Sequence, residues 1–237
     1  MKLSIVIPAF NEEKNIGQSV RSLLRQDFKR EDYEIIVVDN NSTDRTSAAA
    51  REAGADKVVL EKIKGINVAR NRGYLESRGE IIAFLDADSE VLGDWMARIV
   101  EDLAPEEIAA VSGPYEYYFK GWQGFLAKIY QHFLIPKTPL VLELLFRRKA
   151  GVIIGGNFAV KRWAFVKTQG IPTHSFWGDD AFIAMLVSRK AGRVLFDTRL
   201  MVKSSSRRFT KEGFFHLPFL YAKAYFKAYF EDSTPPK

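Results

Sequence analysis

The chain has 237 residues, 47% hydrophobic and 27% charged, an ordinary globular composition for one large domain or two small ones. It has no cysteine, which excludes disulfide scaffolds, cysteine nucleophiles and cysteine-ligated zinc. A formal net charge of +6 favours anionic partners such as nucleotides, nucleic acid or anionic lipid.

The first half predicts alternating strands and helices. LSIVIP (3–8) reads as a buried strand, and the segment 12–26 carries Ile16, Val20, Leu23 and Leu24 at helical spacing. YEIIVVD (33–39) is a strand, TDRTSAAAREAG (43–54) a helix stopped by Gly54, and KVVLE (57–61) a short strand. INVARNRGYLES (66–77) is a helix, and EIIAFLD (80–86) a strand apolar on both faces. This order implies a mainly parallel, Rossmann-like sheet flanked by helices. The opening MKLSIVIPAF does not read as a signal peptide, because its apolar run is short and meets Pro8. No run of about 18 apolar residues predicts a transmembrane helix.

The second half is less regular. The segment 121–146 is aromatic and aliphatic, broken by Pro136 and Pro139. GVIIGGNFAVKR (151–162) reads as strand, glycine turn, strand. WGDDAFIAMLVSRKAG (177–192) reads as a helix opened by two acids, and 192–209 as a strand pair running into a basic loop. Basic residues gather at Arg147, Arg148 and Lys149 and again at Lys203, Arg207, Arg208 and Lys211. The segment 211–231 has the pattern of an aromatic, amphipathic C-terminal helix, and 232–237 reads as a disordered tail.

Ligands of such sheets bind at the carboxyl ends of the strands. Three of the first four strands end in acids there: PAFNEE, DNNSTD and DADSE. Asp86 and Asp88 would share one side if strand alternation continues past Leu85. Two adjacent carboxylates repel unless a cation lies between them, and a hard divalent metal prefers such oxygen ligands. The alternative is that they only form a turn. No G-x-G-x-x-G or G-x-x-x-x-G-K-[ST] loop is present, so a bound nucleotide would need a metal and basic side chains for its phosphates.

SIVIPAFNEEKNI, IIVVDNNSTDRT, GINVARNRG and IIAFLDADSE, followed by GGNFAVKR and WGDDAFI, resemble in that order the inverting glycosyltransferases of family 2, over roughly residues 1–210. The resemblance implies a GT-A fold, with a nucleotide-sugar-binding half (1–113) and an acceptor-side half (114–210). It implies that Pro8, Ala9, Phe10 and Glu12 line a nucleobase pocket, largely through backbone. Asp39, with Asn41 beside it, would recognise base or ribose, and Arg70 would lie under the sugar diphosphate. Asp86 would contact ribose or sugar. Asp88 would ligate Mn²⁺ or Mg²⁺ through the diphosphate, and Asp180 would be the general base. Asn157 would lie near the donor sugar, and Arg207 and Arg208 would clamp the diphosphate, since guanidinium forks match phosphate oxygens.

The expected activity is transfer of one sugar, with inversion, from a nucleotide-sugar to an acceptor hydroxyl. UDP-sugars are favoured, with GDP-mannose second, and a lipid-linked acceptor is one option. The Gln-x-x-Arg-Trp pattern of the processive polymer synthases is absent, which argues for a non-processive enzyme. The expected location is the cytoplasm, at the inner face of the cell membrane if the C-terminal helix binds anionic lipid.

Several alternatives stay open. Asp39 can be a turn former, Asp44 a structural acid at a helix start, and Asp179 a cap. Gly155 and Gly156 are either a hairpin turn or a close approach to the donor. His132, His174 and His216 show no metal spacing, although His174 could border the acceptor. Arg207 and Arg208 can belong to a solvated loop. Phe215, Phe219, Ala222, Phe226, Tyr229 and Phe230 can form one apolar stripe, for core packing, dimer contact or an in-plane membrane helix. A nucleotidyltransferase of the same fold lacks its glycine-rich loop here. A rival from another class is a non-catalytic subunit that binds sugar nucleotides or scaffolds a membrane-associated glycan assembly complex. A nucleic-acid partner is not expected, because only net charge points to one.

Overall fold

The computed structural model describes residues 1–117, 129–173, 178–204 and 216–230. A seven-stranded sheet forms the centre, in the order β3-β2-β1-β4-β8-β6-β9. Its strands are β1 Leu3–Ala9, β2 Tyr33–Asp39, β3 Lys57–Leu60, β4 Ile81–Leu85, β6 Ile108–Ser112, β8 Asn157–Lys161 and β9 Arg193–Phe196. The β1–β2, β1–β4, β2–β3 and β6–β9 pairs are parallel, and only β8 runs against its neighbours β4 and β6. A second, three-stranded sheet has the order β5-β10-β7, from Ser89–Val91, Val202–Ser204 and Tyr115–Tyr117.

β1, β2 and β4 are apolar at nearly every position because helices cover both faces of the sheet. On one face, α1 (Ile16–Leu24) buries Ile16, Val20 and Leu23, and α4 (Trp95–Asp102) buries Trp95, Met96 and Ile99, all in one core with alternate residues of β1, β2 and β4. The other face is covered by α3 (Ile66–Glu76), α6 (Arg162–Lys167) and α7 (Asp179–Lys190). α7 is buried at every position from Ala181 to Ser188. That is the pattern of a helix packed all round. Ile183, Ala184 and Val187 face the sheet, while Ala181, Phe182, Met185 and Leu186 meet an outer layer made by α5 (Thr138–Phe146) and α8 (His216–Phe230). The remaining helix, α2 (Thr46–Glu52), follows β2 and buries Ala50.

The βαβαβαβ reading of the first half holds, with α1 and α2 shorter than expected. The second half departs from expectation in four places. Residues 151–154 form no strand: Ile154 and Asn157 make a single antiparallel bridge across a tight turn, and only β8 continues. β9 and β10 are not partners, since β9 closes the large sheet and β10 joins the small one. Pro139 lies in the first turn of α5, where its missing N–H costs nothing, so it starts a helix and does not break one. The stripe expected on the C-terminal helix divides. Tyr225, Ala228 and Tyr229 pack on α7 and α5, whereas Ala222, Phe226 and Phe230 are exposed beside Lys223 and Lys227. Phe215 and Phe219 of that stripe, His216, and the tail 232–237 lie outside the described side chains. No helix among the described residues is long and apolar enough to cross a membrane.

Candidate active site

Parallel pairing brings the loops after β1, β2, β3 and β4 to one edge of the sheet. The first three loops are stitched by hydrogen bonds between backbone and side chains. Asn11 N–H donates to Ser42 Oγ at 2.9 Å, and Thr43 N–H donates to Asn11 Oδ1 at 2.8 Å. Glu12 N–H donates to Thr46 Oγ1 at 2.8 Å, and Glu13 N–H to Asp44 Oδ2 at 3.1 Å. Asn11 and Asn41 both adopt positive φ, a conformation that asparagine tolerates better than most residues. Pro8 and Glu12 are half-buried and Ala9 is buried, while Asn41 is exposed. The Phe10 ring is exposed at the rim, with Lys64 Nζ 4.8 Å from its centroid.

Asp39 is buried, and both its carboxylate oxygens accept bonds: Oδ1 from Ser42 N–H at 2.9 Å, and Oδ2 from the Ser47 hydroxyl. It therefore closes the turn that carries Asn41. Asp44 accepts from Thr46 N–H and its hydroxyl as well as from Glu13. Burial opposes its charge, but these hydrogen bonds outweigh that and hold its carboxyl below the usual value. Asn40 was missed by the sequence reading. Its amide donates to Glu61 O at 3.2 Å and Ile63 O at 2.7 Å, and its Oδ1 accepts from Gly65 N–H at 2.8 Å. This one buried side chain ties the loop after β3 to the loop after β2. No periodicity or motif singles it out from Asn41.

The expectation about Asp86 and Asp88 needs a correction. β4 ends at Leu85, and Ser89 N–H donates to Asp86 O at 3.1 Å, so a turn and not strand alternation carries the two acids. Both remain half-buried and reachable. Asp86 Oδ2 accepts a 2.9 Å bond from Tyr115 of β7, another residue the sequence reading did not find. Gly156 lies against this pair. A Cβ there would stand 2.1 Å from Asp86 Cγ and 2.1 Å from the Tyr115 hydroxyl, so only glycine lets the turn approach the acid.

Asn157 does not face a donor. It is 0% exposed and fully bonded: Trp95 Nε1 donates to its Oδ1 at 2.9 Å, and its amide donates to Leu200 O at 2.7 Å and Pro114 O at 3.2 Å. It joins α4, the 113–114 segment and the approach to β10, and is a structural residue. Arg70 is likewise enclosed by protein groups. It is 2% exposed and donates to Gly155 O at 2.7 Å, Asn67 Oδ1 at 3.0 Å and Asp179 Oδ2 at 3.3 Å. These protein partners make it a buried tether between α3, the glycine turn and α7.

That tether places the acid pair. Asp179 and Asp180 open α7, where the helix N-terminus favours negative charge. Asp179 Oδ1 accepts from Asp180 N–H, and Asp180 Oδ1 from Ala181 N–H at 2.9 Å. A Cβ built on Gly155 would lie 3.5 Å from Asp180 Cβ and 2.9 Å from Arg70, so Asp180 stands against the same turn whose next residue touches Asp86. Asp86, just after β4, and Asp180, in the first turn of α7, thus stand against adjacent glycines of one turn. Arg207, Arg208 and His174 lie outside the described residues, and His132 is half-buried in the segment before α5.

Among the described residues no three His, Cys, Asp or Glu gather as a self-sufficient metal cage. Asp88 and Asp86 nonetheless suit a Mg²⁺- or Mn²⁺-type ion, which is commonly held by one or two carboxylates and completed by substrate phosphates and water.

The model of the family described as "Glycosyl transferase family 2" matches residues 4–167. The curated Glycosyltransferase AglE of Haloferax volcanii is 31% identical over 183 residues, covering 75% of this chain and 58% of AglE. A Campylobacter jejuni protein named GalNAc(5)-diNAcBac-PP-undecaprenol beta-1,3-glucosyltransferase is 35% identical over 118 residues, covering 47% of this chain and 37% of that protein. The chain thus spans well under two thirds of the length of these relatives. A solved structure, the mannosyltransferase PcManGT of Pyrobaculum calidifontis in complex with GDP-Man and Mn²⁺, superposes with a TM-score of 0.67 at 22% identity, covering 94% of this chain and 69% of that one. The two-sided mainly parallel sheet is the GT-A arrangement, and the chain belongs to glycosyl transferase family 2.

Proposed function

We propose that the chain is a metal-dependent, inverting, non-processive glycosyltransferase that moves one sugar from a nucleotide-sugar to an acceptor hydroxyl. The observation that carries this is the placement of Asp180 and Asp86 against neighbouring residues of one turn, Gly155 and Gly156. Family membership and the GDP-Man and Mn²⁺ complex of a fold neighbour support the same reading.

The base would lie over the 8–12 loop, with the Phe10 ring and Lys64 at its rim. Asp88, aided by Asp86, would hold the divalent metal, which when bound supplies positive charge to the leaving diphosphate. Tyr115 fixes the Asp86 carboxylate by its hydrogen bond. Asp180 accepts the proton of the acceptor hydroxyl as its oxygen bonds to the anomeric carbon. The bond from that carbon to the diphosphate oxygen breaks on the opposite side, and the nucleoside diphosphate leaves with the electron pair. One displacement inverts the centre and needs no enzyme nucleophile. A lipid-linked acceptor at the cytoplasmic face of a membrane fits this reading, supported by the undecaprenol-linked substrate in the name of one relative.

Calorimetric titration with UDP and with GDP, each with and without Mn²⁺, tests the donor site. Metal-dependent binding of one nucleotide, lost in Asp88→Asn, is the expected result. Binding of neither by the folded protein overturns the donor site and favours the non-catalytic scaffold.

A further inference from the structure

The outer layer holds an arrangement that the donor site does not use. α5, TPLVLELLF, has one acid and otherwise almost wholly apolar side chains, yet it buries only Leu142. Helices that are apolar all round are normally enclosed. Here Leu144 is 72% exposed, Leu145 68% and Leu140 61%, with Val141 beside them at helical spacing. Phe133 and Leu134, just before α5, are exposed as well. The patch continues onto α8, because Phe146 meets Phe230 edge to face with ring centroids 5.2 Å apart, and exposed Phe226 lies one turn earlier. An apolar face of this extent marks a docking surface.

The charges around it choose the occupant. Lys137 precedes α5, and Arg147, Arg148 and Lys149 follow it. Lys223 and Lys227 are exposed on α8 beside Phe226. Glu143, the one acid of α5, turns back to accept from Ala150 N–H at 2.9 Å. The patch is therefore apolar at its centre and cationic at its border, which complements an anionic bilayer: aliphatic side chains enter the acyl boundary while ammonium and guanidinium groups meet headgroups.

We infer that α5, with the exposed end of α8, is an in-plane docking surface for anionic lipid, and that α5 leads the contact. α8 spends its Tyr225, Ala228 and Tyr229 on the protein. Tyr229 Oη donates at 3.1 Å to Leu142 O, and Tyr225 Oη donates at 3.0 Å to Gly151 O. Gly178, which opens α7, lies directly under Ala224 of α8. A bilayer held by α5 would thus be coupled through α8 and Leu142 to the helix that carries Asp180. This use of the surface rests on the glycosyltransferase reading, whereas the docking itself does not.

Flotation with phosphatidylcholine vesicles, with and without phosphatidylglycerol, tests the inference, and nucleotide titration of the same samples reads the donor site separately. The wild-type protein is expected to float with the anionic vesicles at low salt and to float far less with phosphatidylcholine alone. Leu144→Glu with Leu145→Glu should abolish flotation and leave nucleotide binding intact, while Phe226→Glu should retain most of it. Three results overturn the inference: wild-type protein that never floats, a double variant that floats like wild type, or sedimentation showing a dimer that the double substitution dissolves without any lipid binding. Loss of nucleotide binding with flotation intact would defeat the donor site alone.

Discussion

The loops after β1 to β3 and the helical layer of α5, α7 and α8 solve the same problem by opposite means. The loops carry little apolar surface, so their shape comes from hydrogen bonds such as those of Asn11, Asn40 and Asp44. The helical layer adds hydrogen bonds such as those of Tyr225 and Tyr229, but it is positioned by the burial of α7 on all sides. A polar network fixes distances closely and fails when one partner is left unsatisfied. A packed helix tolerates apolar exchange and leaves its outer face free for another surface. The site lies where the two meet, at Arg70 and the glycine turn.

The largest expected effect separates chemistry from placement. Asp180→Asn should lower kcat by about 10³-fold, in the range of a lost general base, with nucleotide affinity by calorimetry unchanged. Full transfer by the variant would remove Asp180 from that role.

Asn157→Ala attacks the junction itself. It leaves Trp95 Nε1 and the carbonyls of Pro114 and Leu200 without their partner, and should cost about 3 kcal/mol of stability by urea unfolding. A loss under about 0.5 kcal/mol, the size of a surface change, would show that these groups find other partners.

Asn40→Ala and Arg70→Lys sharpen the comparison in kinetics. Asn40→Ala loosens the donor loops and should raise donor KM severalfold with kcat little changed. Arg70→Lys cannot reproduce the fork to Gly155 O, Asn67 and Asp179, and should lower kcat about tenfold with donor KM held. A rise in KM alone for Arg70→Lys would return it to the diphosphate.

The smallest effect concerns Asp102 and Asp197. Burial, and then the neighbouring Asp197 charge, push the Asp102 carboxyl up to about 6. Burial also opposes the Asp197 charge, but hydrogen bonds from Arg199 outweigh it and hold Asp197 low. The folded protein therefore keeps a proton on Asp102 that the unfolded chain has released. That contribution is present below the ordinary carboxylate value of 3.8 and is lost as pH rises through about 6. Asp102→Asn should flatten the decline in melting temperature across this window. An unchanged slope would show that the pair does not govern it.

The first half was legible because strand apolarity, helix spacing and acids at strand ends are local patterns, and β1 to β4 appear where they predict. The segment 89–112, which forms β5, α4 and β6, was not read at all. Its strands are short, and their sheet partners lie far away in sequence. For the candidate site, Asp39, Asp86, Asp88 and Asp180 stand out in sequence as acids at element ends. Residue type alone was misleading for Asn157 and Arg70. Both are polar residues in promising motifs, but their partners, Trp95, Leu200 and Asp179, come from distant segments.

The sequence by itself determined the alternation of strands and helices, the edge at which the acids collect and the family, because each depends on residue type at short spacing. Only the tertiary structure decided that Tyr115 holds Asp86, that Asn40 joins the loops after β2 and β3, that Arg70 is tethered to protein groups and that α5 keeps Leu140, Leu144 and Leu145 outside. Those outcomes depend on which surfaces meet, and apolar residues at helical spacing look the same whether their face is covered by a neighbour or left open.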